Sequence, residues 1–171
     1  MTRNQVSQSL GDYYEKVVAP RFFEHLGWDY QNSTKHENIY DKFDYTVSAG
    51  ESLKVEVKAP KKPSSLLLFE GTGISGYDGW GRGKADLVMQ FFSDKFAILY
   101  DRAEMLKLAI EITGPIPHSP ERYPRGTFAP AGVWQGRSGK STRTGAPNKD
   151  CFVLLTPTQA KACGYRRIQL G

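Results

Sequence analysis

Between Tyr40 and Pro60 the chain alternates apolar and polar residues twice, once on each side of a turn, and this period of two specifies a β-hairpin. In the first strand Phe43, Tyr45 and Val47 fall on one face, with Lys42, Asp44 and Thr46 on the other. After Ser48-Ala49-Gly50-Glu51 the alternation resumes, with Leu53, Val55 and Val57 backed by Lys54, Glu56 and Lys58. Pro60 stops the second strand, because proline brings no N–H to a ladder. A turn centred on Gly50 sets Asp44 across from Glu56 on the polar face, with Cβ atoms roughly 4.5 to 5.5 Å apart. Lys58 lies on that face, one pleat beyond Glu56.

Two carboxylates at that separation repel, and a sheet tolerates them most readily when a cation sits between them. Oxygen ligands at about 2.0 to 2.1 Å are what Mg²⁺ requires. A carboxylate pair, a hard cation and an adjacent ammonium are the set needed to hydrolyse a phosphodiester. The metal lowers the pKa of a bound water and clamps the phosphate, while the lysine stabilises charge or positions the nucleophile.

Around the hairpin, Val6, Leu10, Tyr14, Val17 and Val18 have helical spacing, which predicts an amphipathic helix over about 6–26, kinked or split at Pro20. Glu15 falls at the flank of its apolar stripe, and Tyr13, Tyr14, Phe22, Phe23 and Trp28 read as core. A turn at Gly27 and a polar linker, Gln31 to Asn38, lead to the hairpin. Further strands are expected at 66–69, 85–92, 96–100, 151–155 and, at an edge, 166–170. A helix from Asp101 to about Ile112 has Asp101 as N-cap and Glu104 at the capping-box position, and a short helix at 157–163 is capped by Thr156.

A chain of 171 residues is long enough for one domain with a proper core, so a single domain over 1–171 is expected. Its mean hydropathy of −0.49 and the lack of any apolar run near membrane length argue against a membrane span. The N-terminal residues have no apolar signal region, so the expected location is cytoplasmic. Cys151 and Cys163, with His25, His36 and His118, show no zinc spacing. The net charge of +5 is concentrated: between residues 118 and 149, Arg122, Arg125, Arg137, Lys140, Arg143 and Lys149 stand against Glu121 alone. That stretch belongs to a Gly/Pro-rich loop over 113–150, able to follow a phosphate backbone or simply to lie solvated on the surface.

The hairpin residues resemble the PD-(D/E)XK nuclease superfamily, whose hallmark is an acidic residue at the end of one strand and Glu-x-Lys on the next. Here these read Lys42-Phe43-Asp44-Tyr45 and Val55-Glu56-Val57-Lys58, with Phe43 where the eponymous proline would stand. Tyr13-Tyr14-Glu15-Lys16 supplies the helical glutamate that members often add. Leu67-Leu68-Phe69-Glu70, Gly79-Trp80-Gly81 and Lys84-Ala85-Asp86-Leu87-Val88 resemble segments of small phage-encoded and junction-resolving members, so the likeness spans residues 6 to about 112. It implies an α/β fold with a restriction-endonuclease-like core, a mixed central β-sheet flanked by helices. It also implies a DNA endonuclease in which Asp44, Glu56 and the Val57 carbonyl bind Mg²⁺, with Mn²⁺ able to substitute, while Lys58 and Glu15 assist. A phage-encoded enzyme would act in the cytoplasm of its host cell.

A lone domain without a helix-turn-helix or zinc finger favours recognition of branched DNA over long-sequence readout, and a homodimer would bring two active sites to paired strands. Arg82, Lys84, Arg125, Arg137, Lys140 and Arg143 are the candidate phosphate contacts. The alternatives are an inactive nucleic-acid-binding module on the same fold and a short-site restriction endonuclease. Gly71 to Gly76 matches G-x-G-x-x-G but no helix follows it, and Gly136 to Ser141 lacks the first glycine of a phosphate loop because Trp134 stands there. Trp134 and Phe128 read either as base-stacking residues or as anchors pinning a long loop, and Trp80 likewise.

Overall fold

The structure, a computed structural model, describes residues 9–59, 66–73, 76–124, 127, 129–140 and 145–171. The chain is an α/β protein that divides into two compact units. One comprises Met1–Ser64, Lys84–Asp101 and Gly164–Gly171, the other Ser65–Gly83 and Arg102–Cys163. Among the described residues no helix is long and apolar enough to cross a membrane.

The first unit is a six-stranded sheet with a helix on one face. Its strands are β1 (Asp29–Asn32), β2 (Tyr45–Ser48), β3 (Ser52–Lys58), β5 (Leu87–Ser93), β6 (Phe96–Asp101) and β10 (Arg166–Gln169), in the order β1-β2-β3-β5-β6-β10. The sheet is mixed: β3 and β5 run parallel and every other neighbouring pair is antiparallel. The hairpin register is the one expected, Tyr45 opposite Val55 and Ser48 opposite Ser52, with Gly50 at φ 86° in the turn. Positive φ at that position is what glycine supplies without strain.

Residues 9–13 are helical and run into a π-helical turn, Tyr14–Val18, and then α1 (Ala19–His25). Pro20 has no N–H to return to the preceding turn. The helix widens by one residue just before it, Ala19 N–H bonding Tyr14 O, and so continues where the sequence suggested a kink or a split. The widening changes the phase of the apolar stripe. Tyr14, Val18, Phe22 and Phe23 are buried against Tyr45, Val47, Val55, Val57, Met89 and Phe91, whereas Leu10, Tyr13 and Val17 stay exposed. Tyr13 is therefore not a core residue. Burying a side chain the size of Phe22 contributes about 1.5–3 kcal/mol, so this layer is a large part of what holds the unit together.

Two features upstream of β2 differ from expectation. Asp29–Asn32 forms an edge strand with all four residues exposed, so it carries no alternation to read. Tyr40 lies in a second π-helical turn, Glu37–Asp41, and not in a strand. Thr34 and Glu37 cap that turn reciprocally, Thr34 N–H donating to the Glu37 carboxylate at 2.7 Å and Glu37 N–H to Thr34 Oγ1 at 3.3 Å.

The second unit holds a four-stranded sheet in the order β4-β9-β8-β7, made of β4 (Leu67–Thr72), β7 (Glu121–Tyr123), β8 (Gln135–Arg137) and β9 (Cys151–Leu155). The helix α2 (Arg102–Thr113) belongs to this unit, burying Met105 and Ala109. Two short strands thus lie within the segment read as a basic loop. Gly79 and Gly81 lie where a Cβ would come 2.6 and 2.5 Å from the Glu70 carbonyl oxygen, so close approach to β4 requires glycine there. Trp80 is buried edge-on to Phe69, and Trp134 is buried with its indole N–H donating to Gly114 O at 2.9 Å, which makes both of them anchors. Phe128 lies outside the described residues. Thr156 caps the 3₁₀ turn Gln159–Ala162 as the sequence predicts. Both cysteines are buried, and burial pushes the Cys151 thiol up to about 11.

Candidate active site

The site is built where β2 begins and β3 ends. Lys42 closes the second π-helical turn in the left-handed region at φ 59°, an uncommon conformation for a residue with a side chain. The reversal breaks the alternation before β2. Phe43 is buried on the Lys54 side of the sheet, with the Lys54 ammonium 5.0 Å from its ring centroid, instead of sharing the Tyr45 face as the simple period predicts. Asp44 follows, its backbone tied on both sides: its N–H donates to Val55 O at 2.9 Å and its carbonyl accepts from Ser33 at 2.8 Å.

The Asp44 side chain is buried and fully engaged. One carboxylate oxygen accepts the Val57 N–H at 2.7 Å, the other accepts the Asn38 side-chain amide, and Glu56 hydrogen-bonds the same carboxyl group. Burial holds its carboxyl above the usual range, against the pull of the Lys58 ammonium and these hydrogen bonds. Glu56 is buried as well, and its carboxylate is ion-paired with Lys58, two residues along the same face of β3. The structure therefore brings Asp44, Glu56 and Lys58 into one cluster.

Glu15 sits in the first π-helical turn. Its carbonyl accepts the Tyr45 hydroxyl at 2.5 Å, tying the helix to the strand that begins just after Asp44. Burial, and next the Asp44 carboxylate, raise the Glu15 carboxyl, while Lys16 and Lys58 oppose the shift. Glu15 thus shares an electrostatic neighbourhood with Asp44 and Lys58. The same two carboxylates, after burial, push the Tyr45 hydroxyl up to about 12, so it remains a hydrogen-bond donor at any ordinary pH.

Hard-cation chemistry fits this donor set. Two buried carboxylates share one hydrogen bond, and a nearby cation would relieve the cost of keeping both ionised. Among the described residues no three of His, Cys, Asp and Glu form a ready cage. Mg²⁺ keeps several of its waters and takes only one or two protein carboxylates, so a pair is compatible with it. Asp44, Glu56 and the Val57 backbone would hold it.

Three further residues of the site were not read from the sequence. Asn38 had a legible signal in Thr34-x-x-Glu37, a capping box that starts the turn carrying it. Tyr45 reads from the sequence only as a member of the apolar face of the hairpin. Gln90 is a buried polar residue inside the apolar run of β5 and stands beside Lys58 in the parallel register, so a polar residue amid Leu87 to Phe92 was itself a mark of the site.

The expected phosphate contacts are distributed. Arg82 is paired with Asp78 at 2.8 Å and Lys84 with Asp41 at 2.9 Å. Arg137 lies on β8 against Asp150, and Lys140 is exposed in a bridge to Pro147. Arg125 and Arg143 lie outside the described residues. No protein-family model, curated protein or solved structure matches the chain.

Proposed function

We propose that the chain is a metal-dependent DNA endonuclease whose first unit serves as a restriction-endonuclease-like core, with Asp44, Glu56 and Lys58 as the active site and Glu15 beside them. The observation that carries this reading is the Asp44 carboxylate, buried, hydrogen-bonded to Glu56 and oriented by the Val57 N–H, beside the Glu56–Lys58 ion pair. Asp44 and Glu56 would hold Mg²⁺, or Mn²⁺ in its place, together with the Val57 carbonyl. When bound, the ion polarises the phosphodiester and lowers the pKa of a coordinated water. Lys58, restrained by Glu56, places positive charge against the negative charge that develops on the phosphate oxygens. Glu15 holds its proton more tightly than an ordinary carboxylate, which suits it to accept one from the attacking water. The preferred substrate is branched DNA such as a junction, cut by a homodimer in the cytoplasm.

The test is incubation of the purified protein with supercoiled plasmid and a labelled four-way junction, in Mg²⁺ and in EDTA, beside a Glu56→Ala control. Magnesium-dependent cutting that the substitution abolishes supports the nuclease, and preference for the junction supports structure selectivity. A sequence-restricted ladder on the plasmid would replace it with a short-site restriction enzyme. Retention of DNA without cutting would leave a binding module on the same fold.

A further inference from the structure

Within the second unit, Asp150 is completely buried, and two arginines converge on it. Arg137 donates from Nε to Oδ2 at 2.5 Å and from its backbone N–H to Oδ1 at 3.2 Å. Arg122 donates from Nη1 to Oδ1 at 3.1 Å and to the Asp150 carbonyl at 2.6 Å. The Arg137 guanidinium carbon also lies 5.7 Å from the centroid of the Phe152 ring, a cation–π contact that adds to the hydrogen bonds. The arrangement depends on Gly136: a Cβ there would collide with Arg122 Nη1 and come 2.6 Å from the Asp150 carbonyl oxygen.

One carboxylate does not neutralise two guanidinium groups, so the cluster keeps a net charge of +1. Nor does it use their donors. Among the described residues, Arg122 Nε and Nη2 and both terminal nitrogens of Arg137 make no other hydrogen bond. The two side chains remain 29% and 30% exposed, enough to meet a ligand yet mostly desolvated and already ordered. Forked donors with lowered entropy cost and one surplus positive charge match a singly charged oxyanion with two free oxygens. The flanking segment supplies Lys140 and Lys149, whose charges suit a polyanion, in which phosphates repeat, more than an isolated anion.

We propose that Arg122 and Arg137, held in place by buried Asp150, form a binding site for a phosphodiester of a nucleic-acid backbone. Asp150 is the positioning residue. The pair reads charge and tetrahedral shape, not base identity, so it anchors a strand irrespective of sequence. The site lies in a different unit from the carboxylate cluster and stands without any assumption about cleavage.

The experiment is equilibrium binding of a fluorescent DNA duplex to the full chain in EDTA, across a series of salt concentrations, for wild type and for Arg122→Gln and Arg137→Gln. Each substitution is expected to weaken binding at least roughly tenfold, the scale of a charged hydrogen bond. Each should also lower the slope of log K against log salt by about 0.9, one phosphate contact, equally on unrelated sequences. Because removing a charge from buried Asp150 can unfold the unit, Arg122→Lys/Arg137→Lys is measured beside them. An ammonium still pairs with Asp150 but lacks the fork, so affinity should fall severalfold with the melting temperature kept.

Unchanged affinity in the folded Lys variant would overturn the proposal, because a merely structural pair would behave that way. No DNA binding by the wild type would overturn it too, as would a response to inorganic phosphate with none to DNA, which would assign the pair to a free anion. Binding is read in EDTA, where no metal-dependent cleavage occurs, so failure of the nuclease reading leaves this measurement untouched.

Discussion

The Asp44 carboxylate accepts the backbone N–H of Val57 at 2.7 Å, so a side chain on the residue preceding β2 supplies an acceptor to the end of β3. The bond fixes the acid relative to the Glu-x-Lys strand through the backbone, independently of where Lys58 points. It also means that removing Asp44 does two things at once, taking away a charge and leaving a buried donor unmet.

Asp44→Asn separates the two, since an amide oxygen can still accept from Val57. Burial raises the Asp44 carboxyl above its ordinary 3.8. A carboxyl raised on folding lends stability that is fully present below its unfolded pKa and is lost as pH rises through the folded one. The wild type therefore gives up stability across that window and Asp44→Asn does not. Thermal melts in EDTA should show the variant more stable at neutral pH, the difference vanishing once pH falls below 3.8. A variant less stable at neutral pH would contradict the account. Cleavage should be lost throughout.

Asn38 acts on the same carboxylate from the opposite oxygen, on an exposed turn. Its replacement by alanine should cost little stability, because the amide carries no core packing. It should lower activity at limiting Mg²⁺ by about 10- to 100-fold, the usual effect of removing a group that orients a ligand. Partial recovery at excess Mg²⁺, read from initial cleavage rates, distinguishes weakened ion binding from a damaged fold.

The glycines offer a test of packing apart from chemistry. At Gly81 a Cβ would come 2.5 Å from the Glu70 carbonyl and 2.6 Å from the Phe69 ring, so Gly81→Ala should destabilise by about 1–3 kcal/mol in urea melts. Gly11 is helical, with nothing within 4 Å of where a methyl group would stand, so Gly11→Ala should stabilise by about 0.5–1 kcal/mol. Opposite signs at two glycines would tie both effects to local space and not to glycine content.

The hairpin was legible because two alternations and one turn glycine agree on a single register, which a slip of one residue would turn inside out. Asp44, Glu56 and Lys58 follow from that register. What surrounds them was less legible for definite reasons. The π-helical turn at Glu15 arises from Pro20, just past the widened turn, and shifts which side chains are buried. Lys42 in the left-handed region reverses the face of Phe43, an event that no hydrophobic period encodes. Strand β1 is exposed throughout, and β7 and β8 have three residues each, too few to show a period. Those two strands lie beside the Arg122, Arg137 and Asp150 contacts, made between residues far apart in sequence.

Lys58 carries the last prediction, because its charge serves both the fold and the proposed chemistry. Lys58→Ala takes the ammonium from the buried Glu56 carboxylate. Losing one partner of a fully buried pair costs about 3–5 kcal/mol, and the 28% exposure of Lys58 lowers the expectation to about 1–3 kcal/mol. Cleavage should fall by about 10²- to 10³-fold, as for other groups that face charge developing in the transition state. The combination Lys58→Met/Glu56→Gln removes both charges, so the melting temperature should return toward wild type. Activity should not return with it, since neither the ligand nor the ammonium is restored. Recovery of cleavage in that double variant would show that the pair is structural and would remove Lys58 from the active site.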